Sequence, residues 1–252
     1  MALVPYCAAP LGVANLAALK AMPERHYRVG EHFLTVEQHW APDGRGGTAL
    51  GFGGTCFDAA FLLADYLAKR VPLAGRTCVE LGCGGAALAS IAASLHGAEL
   101  VVATDGDERL VDELAARNCA RNSAAAWRAG RLRALPLLWG DRAHAAAALA
   151  LAPPGGFDVV VAADVVACPY ADAFEPLLRT LDALSAPATL VLLAFQRRHH
   201  SETRFFELCA ARFEISRVAP AELHPDFAAQ CATNEPSALA IFRLRRRPVA
   251  ES

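Results

Sequence analysis

The chain has 252 residues, a formal net charge of −2 and 54% hydrophobic residues. That length and apolar content suit one α/β domain with a modest N-terminal addition. The near-neutral charge speaks against a general nucleic-acid binder held by phosphate contacts, and no uninterrupted apolar stretch reaches membrane length.

Taken in order, Pro5, Pro10 and Pro23 bracket a short helix over Val13–Ala21. From His26 to Trp40 the text alternates around Gly30-Glu31, which predicts a β-hairpin. Residues 41–54 read as a glycine-rich loop, and Cys56–Lys69 has helical spacing. An α/β series follows: strand Thr77–Leu81, helix Ala86–Leu95, strand Leu100–Thr104 ending in Asp105, and helix Glu108–Asn122. A third strand, Leu132–Leu138, is interrupted by Pro136, and a weak alanine-rich helix spans Ala143–Leu151. Strand Phe157–Ala162, helix Ala173–Leu184, strand Thr189–Phe195 and helix Glu202–Arg212 come next. Phe213–Val218 and Ser237–Leu244 complete seven strands with a hairpin-like ending. The pattern predicts an α/β fold with a seven-strand Rossmann-like sheet and an N-terminal β-hairpin extension. The division expected is extension 1–55 and main domain 56–248.

The eight cysteines, Cys7, Cys56, Cys78, Cys83, Cys119, Cys168, Cys209 and Cys231, stand singly with no C-x-x-C pair. Free thiols in a reducing compartment fit this better than zinc or disulfides. The opening lacks a basic start followed by a long apolar segment. A cytoplasmic monomer with no metal, no nucleic-acid partner and no membrane partner is expected.

The chemistry centres on Glu80-Leu81-Gly82-Cys83-Gly84-Gly85-Ala86-Ala87. A strand, a glycine turn and a helix form the unit in which backbone approaches a bound nucleotide closely. A carboxylate at the mouth, Glu80, would repel a pyrophosphate and welcome an ammonium or a sulfonium, which favours S-adenosylmethionine. The same loop satisfies the loose G-x-G-x-x-G/A pattern, and Asp105 lies at the spacing of a dinucleotide site, so a nicotinamide cofactor stays open. So does a glycine turn with no ligand.

Ligands of such sheets sit beyond the carboxyl ends of the strands. Asp105 could there accept hydrogen bonds from ribose hydroxyls, with Asp107 as the better cap for the next helix. Trp139 follows the third strand, where an adenine could stack, or serves as core. Asp164 closes the fourth strand, on the rim where a methyl acceptor would meet its donor, or is purely structural. The adjacent His199 and His200 read as solvated surface, and the basic run Arg243–Arg247 as a strand end with solvated flanks.

These motifs together resemble the seven-strand protein-lysine methyltransferases of the methyltransferase-like group. Gln38-His39-Trp40 resembles the family's Gln-x-Trp, and Phe57-Asp58-Ala59-Ala60 its Trp-Asp-Ala-Ala. Glu80–Gly84 is similar to its donor loop, Thr104-Asp105 to its ribose-binding strand end, and Leu138-Trp139-Gly140 to its adenine-side Trp-Gly. Ala163-Asp164-Val165-Val166 looks like the start of Asp-x-x-Tyr, and Met1–Tyr6 like the opening of the chaperone-directed members. The resemblance covers roughly residues 26–246. It implies a class I S-adenosylmethionine-dependent enzyme methylating a lysine of a heat-shock chaperone, the valosin-containing AAA ATPase or an elongation factor. Phe57, Glu80, Gly82, Cys83, Gly84, Asp105, Trp139 and Ala163 would contact the donor. Asp164 and Tyr170 would serve the acceptor, and Arg197 would face the partner.

Three positions depart from the family. Ala86 replaces the last loop glycine, Phe57 a tryptophan, and Ala167 the tyrosine of Asp-x-x-Tyr, for which Tyr170 could substitute. The expected mechanism is in-line attack by a neutral lysine amine, with orientation and a dry channel as the protein's contribution and no dedicated base. The rivals are a different acceptor, a silent binding module with the same fold, and a nicotinamide dehydrogenase. The last lacks a visible Tyr-x-x-x-Lys after the loop.

Overall fold

A computed structural model describes residues 19–40, 50–166, 172–233 and 238–247. Its centre is a seven-stranded sheet: β3 (Thr77–Leu81), β4 (Leu100–Asp105), β5 (Leu132–Pro136), β6 (Val159–Ala163), β7 (Leu190–Gln196), β8 (Phe213–Arg217) and β9 (Leu239–Arg246). The spatial order is β5-β4-β3-β6-β7-β9-β8. Strands β5 to β7 run parallel, while β9 inserts antiparallel to both β7 and β8. Every residue of β3 is buried, as a central parallel strand covered on both faces requires. Chain order reverses between neighbours β3 and β6, so their carboxyl ends flank the switch point where open sheets bind ligands. Seven strands, the antiparallel hairpin-like ending and the preceding N-terminal hairpin agree with the sequence.

Helices α1 (Asp58–Arg70) and α2 (Leu88–Leu95) pack on one face. The helix α6 (Phe174–Leu184) and α7 (Thr203–Ala210) cover the other, following α5 (Arg142–Leu149). Between β4 and β5 the chain is helical from Glu108 to Asn122, as its pattern predicts, but Leu110–Ala115 winds as a π-helix before α3 (Ala116–Asn122). A further short helix, α4 (Ala124–Arg128), escaped the sequence reading. Strand β5 stops at Pro136, two residues before the predicted end, because proline has no N–H to extend the ladder. Of the helix predicted over 13–21, only 19–21 fall among the described residues, and they are helical. Short turns Phe52–Gly54, Pro220–Glu222 and Pro225–Phe227 lead into α1 and into α8 (Ala228–Cys231).

The hairpin pairs β1 (Glu24–Val29) with β2 (His32–Glu37), turning through Gly30 at φ +57°. Its inner side chains Tyr27, Val29, Leu34 and Val36 are buried. The outer edge of β2 is paired by side chains of α3. Asn122 both donates to and accepts from the Thr35 backbone at 2.9 Å, and Asn118 does the same for Glu37 at 3.0 and 2.9 Å. Two amides thus stand in for a neighbouring strand, closing an edge that would otherwise invite pairing with another chain. Among the described residues no helix is long and apolar enough to cross a membrane.

Candidate functional site

At the carboxyl end of β3 the chain turns through Gly82 and Gly84, both at positive φ (+67° and +55°), where L side chains are strained. A Cβ on Gly82 would sit 2.7 Å from Val165 and 3.1 Å from the Trp139 ring. On Gly84 it would meet the Gly53 carbonyl at 2.9 Å. Gly85 has ordinary φ, but its Cβ would lie 2.1 Å from Leu114, so this glycine seats the π-helical segment against the loop. Ala86, the departure from the family pattern, is buried without needing that space.

Three of the loop's N–H groups are already used. Cys83 donates to the Thr104 carbonyl (2.8 Å), Gly84 to the Asp105 carboxylate (2.9 Å) and Gly85 to the Gly53 carbonyl (2.8 Å). The N-terminus of α2 is filled too. Ala87, its N-cap, is in the left-handed region with no capping side chain. The Glu80 carboxylate instead reaches across from β3 and accepts from Ser90 N (2.8 Å) and Ser90 Oγ (2.6 Å), both on Oε2. A carboxylate there satisfies an orphan donor and the positive end of the helix dipole. Glu80 therefore does not stand at an open mouth as the sequence suggested. It is 1% exposed, on the cavity floor, and its Oε1 takes no hydrogen bond among the described residues. Burial raises its carboxyl to about 7 against the opposing Ser90 bonds. With three loop amides and Ser90 already bonded, and the Glu80 carboxylate set at the helix end, a pyrophosphate would meet few donors and a buried acid, which counts against the dinucleotide reading.

Asp105 ends β4. Its Oδ2 holds Gly84 N and its Oδ1 holds Asp107 N at 3.1 Å. Asp107 caps the next helix at Arg109 N (2.9 Å), as expected, yet Asp105 is not left wholly free by that division. A carboxylate offers about four acceptor positions, so room remains for two hydroxyls. Burial raises its carboxyl above the ordinary range. Trp139 lies across Gly82, and the chain around it is fixed by Gly140 N donating to Thr180 Oγ1 (2.8 Å) and Leu138 N to His144 Nδ1 (3.1 Å). The indole Nε1 is buried with no hydrogen-bond partner among the described residues.

The roof comes from the segment between hairpin and α1, of which residues 41–54 read from sequence as a loop and Cys56 and Phe57 as the start of the helix. Leu50–Gly53 and Thr55–Phe57 close over a cavity of about 400 Å³, within the range of small-molecule sites. Gln38 ties this roof down. Its buried amide oxygen accepts from Thr55 Oγ1 (2.8 Å) and Cys56 N (2.9 Å), and its nitrogen donates to the carbonyls of Leu19 and Met22 (3.0 Å each).

Asp164, at φ +56°, closes the β6 wall. Aspartate tolerates this conformation better than most residues, and non-glycine residues held there cluster at functional sites. Its carboxylate forms a bidentate pair with Arg198 (3.0 and 2.7 Å) and accepts from Gln196 N (3.1 Å). Arg198 also donates to the Gln196 carbonyl (3.0 Å) and lies 5.7 Å from the Phe57 ring centre. A carboxylate so committed is a positioning group, not a free base.

The structure thus brings Phe57, Glu80, Gly82, Cys83, Gly84, Asp105, Trp139, Ala163 and Asp164 to one cavity. Tyr170 and Ala167 lie outside the described residues. Arg197, expected to face the partner, lines a second cleft with Phe195 and Phe206, while its neighbour Arg198 reaches the cavity wall through Asp164. Sequence reasoning missed Ser90, Gly53 and Arg198; only the Arg197-Arg198 doublet past a strand hinted at the last. Among the described residues no cluster of three or more His, Cys, Asp or Glu could hold a metal.

Residues 44–212 match the family described as lysine methyltransferase. Protein N-lysine methyltransferase METTL21A of Danio rerio is 31% identical over 227 residues, spanning 86% of this chain and 90% of that protein. The Mus musculus protein of the same name is 29% identical over 220 residues, with the same coverage. Among solved structures, SMU.776, assigned as a methyltransferase and complexed with S-adenosylhomocysteine, is similar at TM-score 0.56 and 13% identity, over 89% of this chain and 56% of that one. Atu636 of Agrobacterium tumefaciens, described as a predicted O-methyltransferase, is similar at TM-score 0.52 and 23% identity, over 76% and 82%. These two likenesses bear on the fold alone.

Proposed function

The chain belongs to the lysine methyltransferase family, and on that premise we propose that the cavity takes S-adenosylmethionine for transfer to a lysine of a chaperone, AAA ATPase or elongation factor. The chain is an S-adenosylmethionine-dependent protein-lysine methyltransferase of the seven-strand class I fold. One observation carries the donor assignment: Glu80 caps α2 from inside the cavity. The chain's own carboxylate fills the anion site, leaving an acidic floor that suits a cation.

The residues present fit the donor. The cavity is large enough, the Gly82 surface would be blocked by a Cβ, and the buried Trp139 Nε1 awaits an acceptor. Asp105 would hold the ribose hydroxyls, Trp139 would flank the base, and Glu80 would face the positive end. The donor supplies a methyl group already activated on sulfonium sulfur. The protein's part is to orient the acceptor amine, keep it uncharged and exclude water. Phe57 and the Asp164–Arg198 pair form the wall on the acceptor side. With Asp164 neutralised by Arg198, the acceptor proton passes to water and no side-chain base is needed.

All six described cysteines are buried free thiols, and burial pushes Cys56 to about 11 and Cys209 to about 12. Inert reduced thiols support a cytoplasmic enzyme. Hydrogen bonds closing the β2 edge support a monomer.

The donor assignment is tested by titrating S-adenosylhomocysteine calorimetrically into the protein and into Asp105→Ala. Loss of charge-assisted bonds of about 1.5–3 kcal/mol predicts roughly 10- to 100-fold weaker binding. Equal affinity in both would refute the site. Radiolabelled donor with a cell lysate then identifies the substrate; donor binding without any labelled protein would favour a silent module.

A further inference from the structure

The chain holds 22 arginines but only two lysines, Lys20 and Lys69. Lys69 is an ordinary surface residue of α1, half-exposed and paired with Asp65 at 2.7 Å. Lys20 is placed differently. Its Nζ lies 5.4 Å from the Trp40 ring centre and 5.3 Å from that of Phe57, and it makes no ion pair among the described residues. The pocket around it is lined by Arg25, Cys56, Phe57, Asp58, Gln196 and Arg198. Cys56 and Phe57 line this pocket and the donor cavity alike. The placement is built into the fold, because the Gln38 amide grips the carbonyls of Leu19 and Met22 on either side of Lys20.

We propose that Lys20 is a methylation site of the enzyme itself, presented in cis between Trp40 and Phe57 beside the Asp164–Arg198 pair. This rests on the protein-lysine methyltransferase reading. In the step, the uncharged Nζ of Lys20 forms a bond to the methyl carbon of the sulfonium donor. The carbon–sulfur bond breaks with its electron pair left on sulfur, giving S-adenosylhomocysteine, and the excess proton on nitrogen goes to water. Aromatic faces attract an ammonium whether or not it carries methyl groups, so the product keeps its seat. Burial and the Arg198 charge hold the Lys20 ammonium below the ordinary lysine range, against Asp164 and Asp58, which favours the reactive form.

Two measurements test this. With only two lysines, protein labelled with ¹³C at lysine Cε gives two signals. S-adenosylhomocysteine is expected to shift the Lys20 signal and leave that of Lys69 in place, a readout independent of turnover. Incubation with S-adenosylmethionine and peptide mass spectrometry are expected to find methyl groups on Lys20, none on Lys69, and none anywhere in Lys20→Arg. The modified fraction at a given time is expected to stay constant on dilution of the enzyme. Lysate proteins labelled while Lys20 stays bare would overturn this inference and leave the enzyme reading intact. Lys20 bare, no shift and no labelled protein would overturn both. Modification that slows on dilution would overturn presentation in cis.

Discussion

The substitution Glu80→Gln separates what the buried acid does for the donor from what it does to the fold. Glutamine keeps the shape and an acceptor oxygen for Ser90 but cannot ionise. In the folded protein the Glu80 carboxyl titrates at about 7 against an ordinary 4.5. The native state therefore binds this proton more tightly than the unfolded chain, and stability falls as pH rises from 4.5 through about 7. The difference between 4.5 and about 7 corresponds to about 3 kcal/mol. The stability of Glu80→Gln relative to wild type should grow by about that amount between pH 4.5 and 8, read from urea unfolding midpoints at each pH. The other titrating groups are common to both proteins and largely cancel in the difference. Donor affinity should move the opposite way: weaker in Glu80→Gln, and without the rise through pH 7 that wild type shows as its floor becomes anionic. A pH-independent stability difference, or equal donor affinity at pH 8, would refute the assignment of Glu80 as an ionising cap facing a cation.

Gly85→Ala tests the seating of the π-helical segment. The new Cβ meets three successive atoms of the Leu114 side chain at 2.1, 2.6 and 3.0 Å, so no single rotamer change relieves it, and a loss of about 1–3 kcal/mol in unfolding free energy is expected. Gln38→Ala removes an amide that makes four hydrogen bonds. Each buried group left unpaired costs about 1–3 kcal/mol, so a lower thermal midpoint and faster tryptic cleavage after Lys20 are both expected. Unchanged cleavage would mean that the Lys20 segment is held by something else.

The sheet was legible because its strands are short apolar runs punctuated by glycine, proline and acid. Thr77–Leu81 was located to the residue, whereas the strand from Leu132 was carried two residues past Pro136, whose missing donor ends it. Residues closing strands were legible as site candidates since topology sends every strand end to the same edge. Which way a side chain turns there was not legible. Glu80 was expected at the mouth and points under α2, because a helix beginning with alanine and leucine leaves amides to be capped from elsewhere. The roof over Phe52–Gly54 carries no periodicity, and its role emerges only from contact with a loop more than thirty residues away in sequence. Arg198 and Arg197 look alike as text, and only the sheet's exit decides which one meets Asp164.

A Rossmann-type sheet is a scaffold on which many nucleotide chemistries have been mounted, and the route between them usually runs through the first helix's amino end. Here that terminal is plugged from within by Glu80. Converting this chain to a phosphate-carrying nucleotide would require evicting Glu80 and finding a new lid for Ser90 in the same step. A neutral side chain at Glu80 alone would still leave Ser90 bonded and the helix end covered, so phosphate binding would need that cover moved as well as the charge removed.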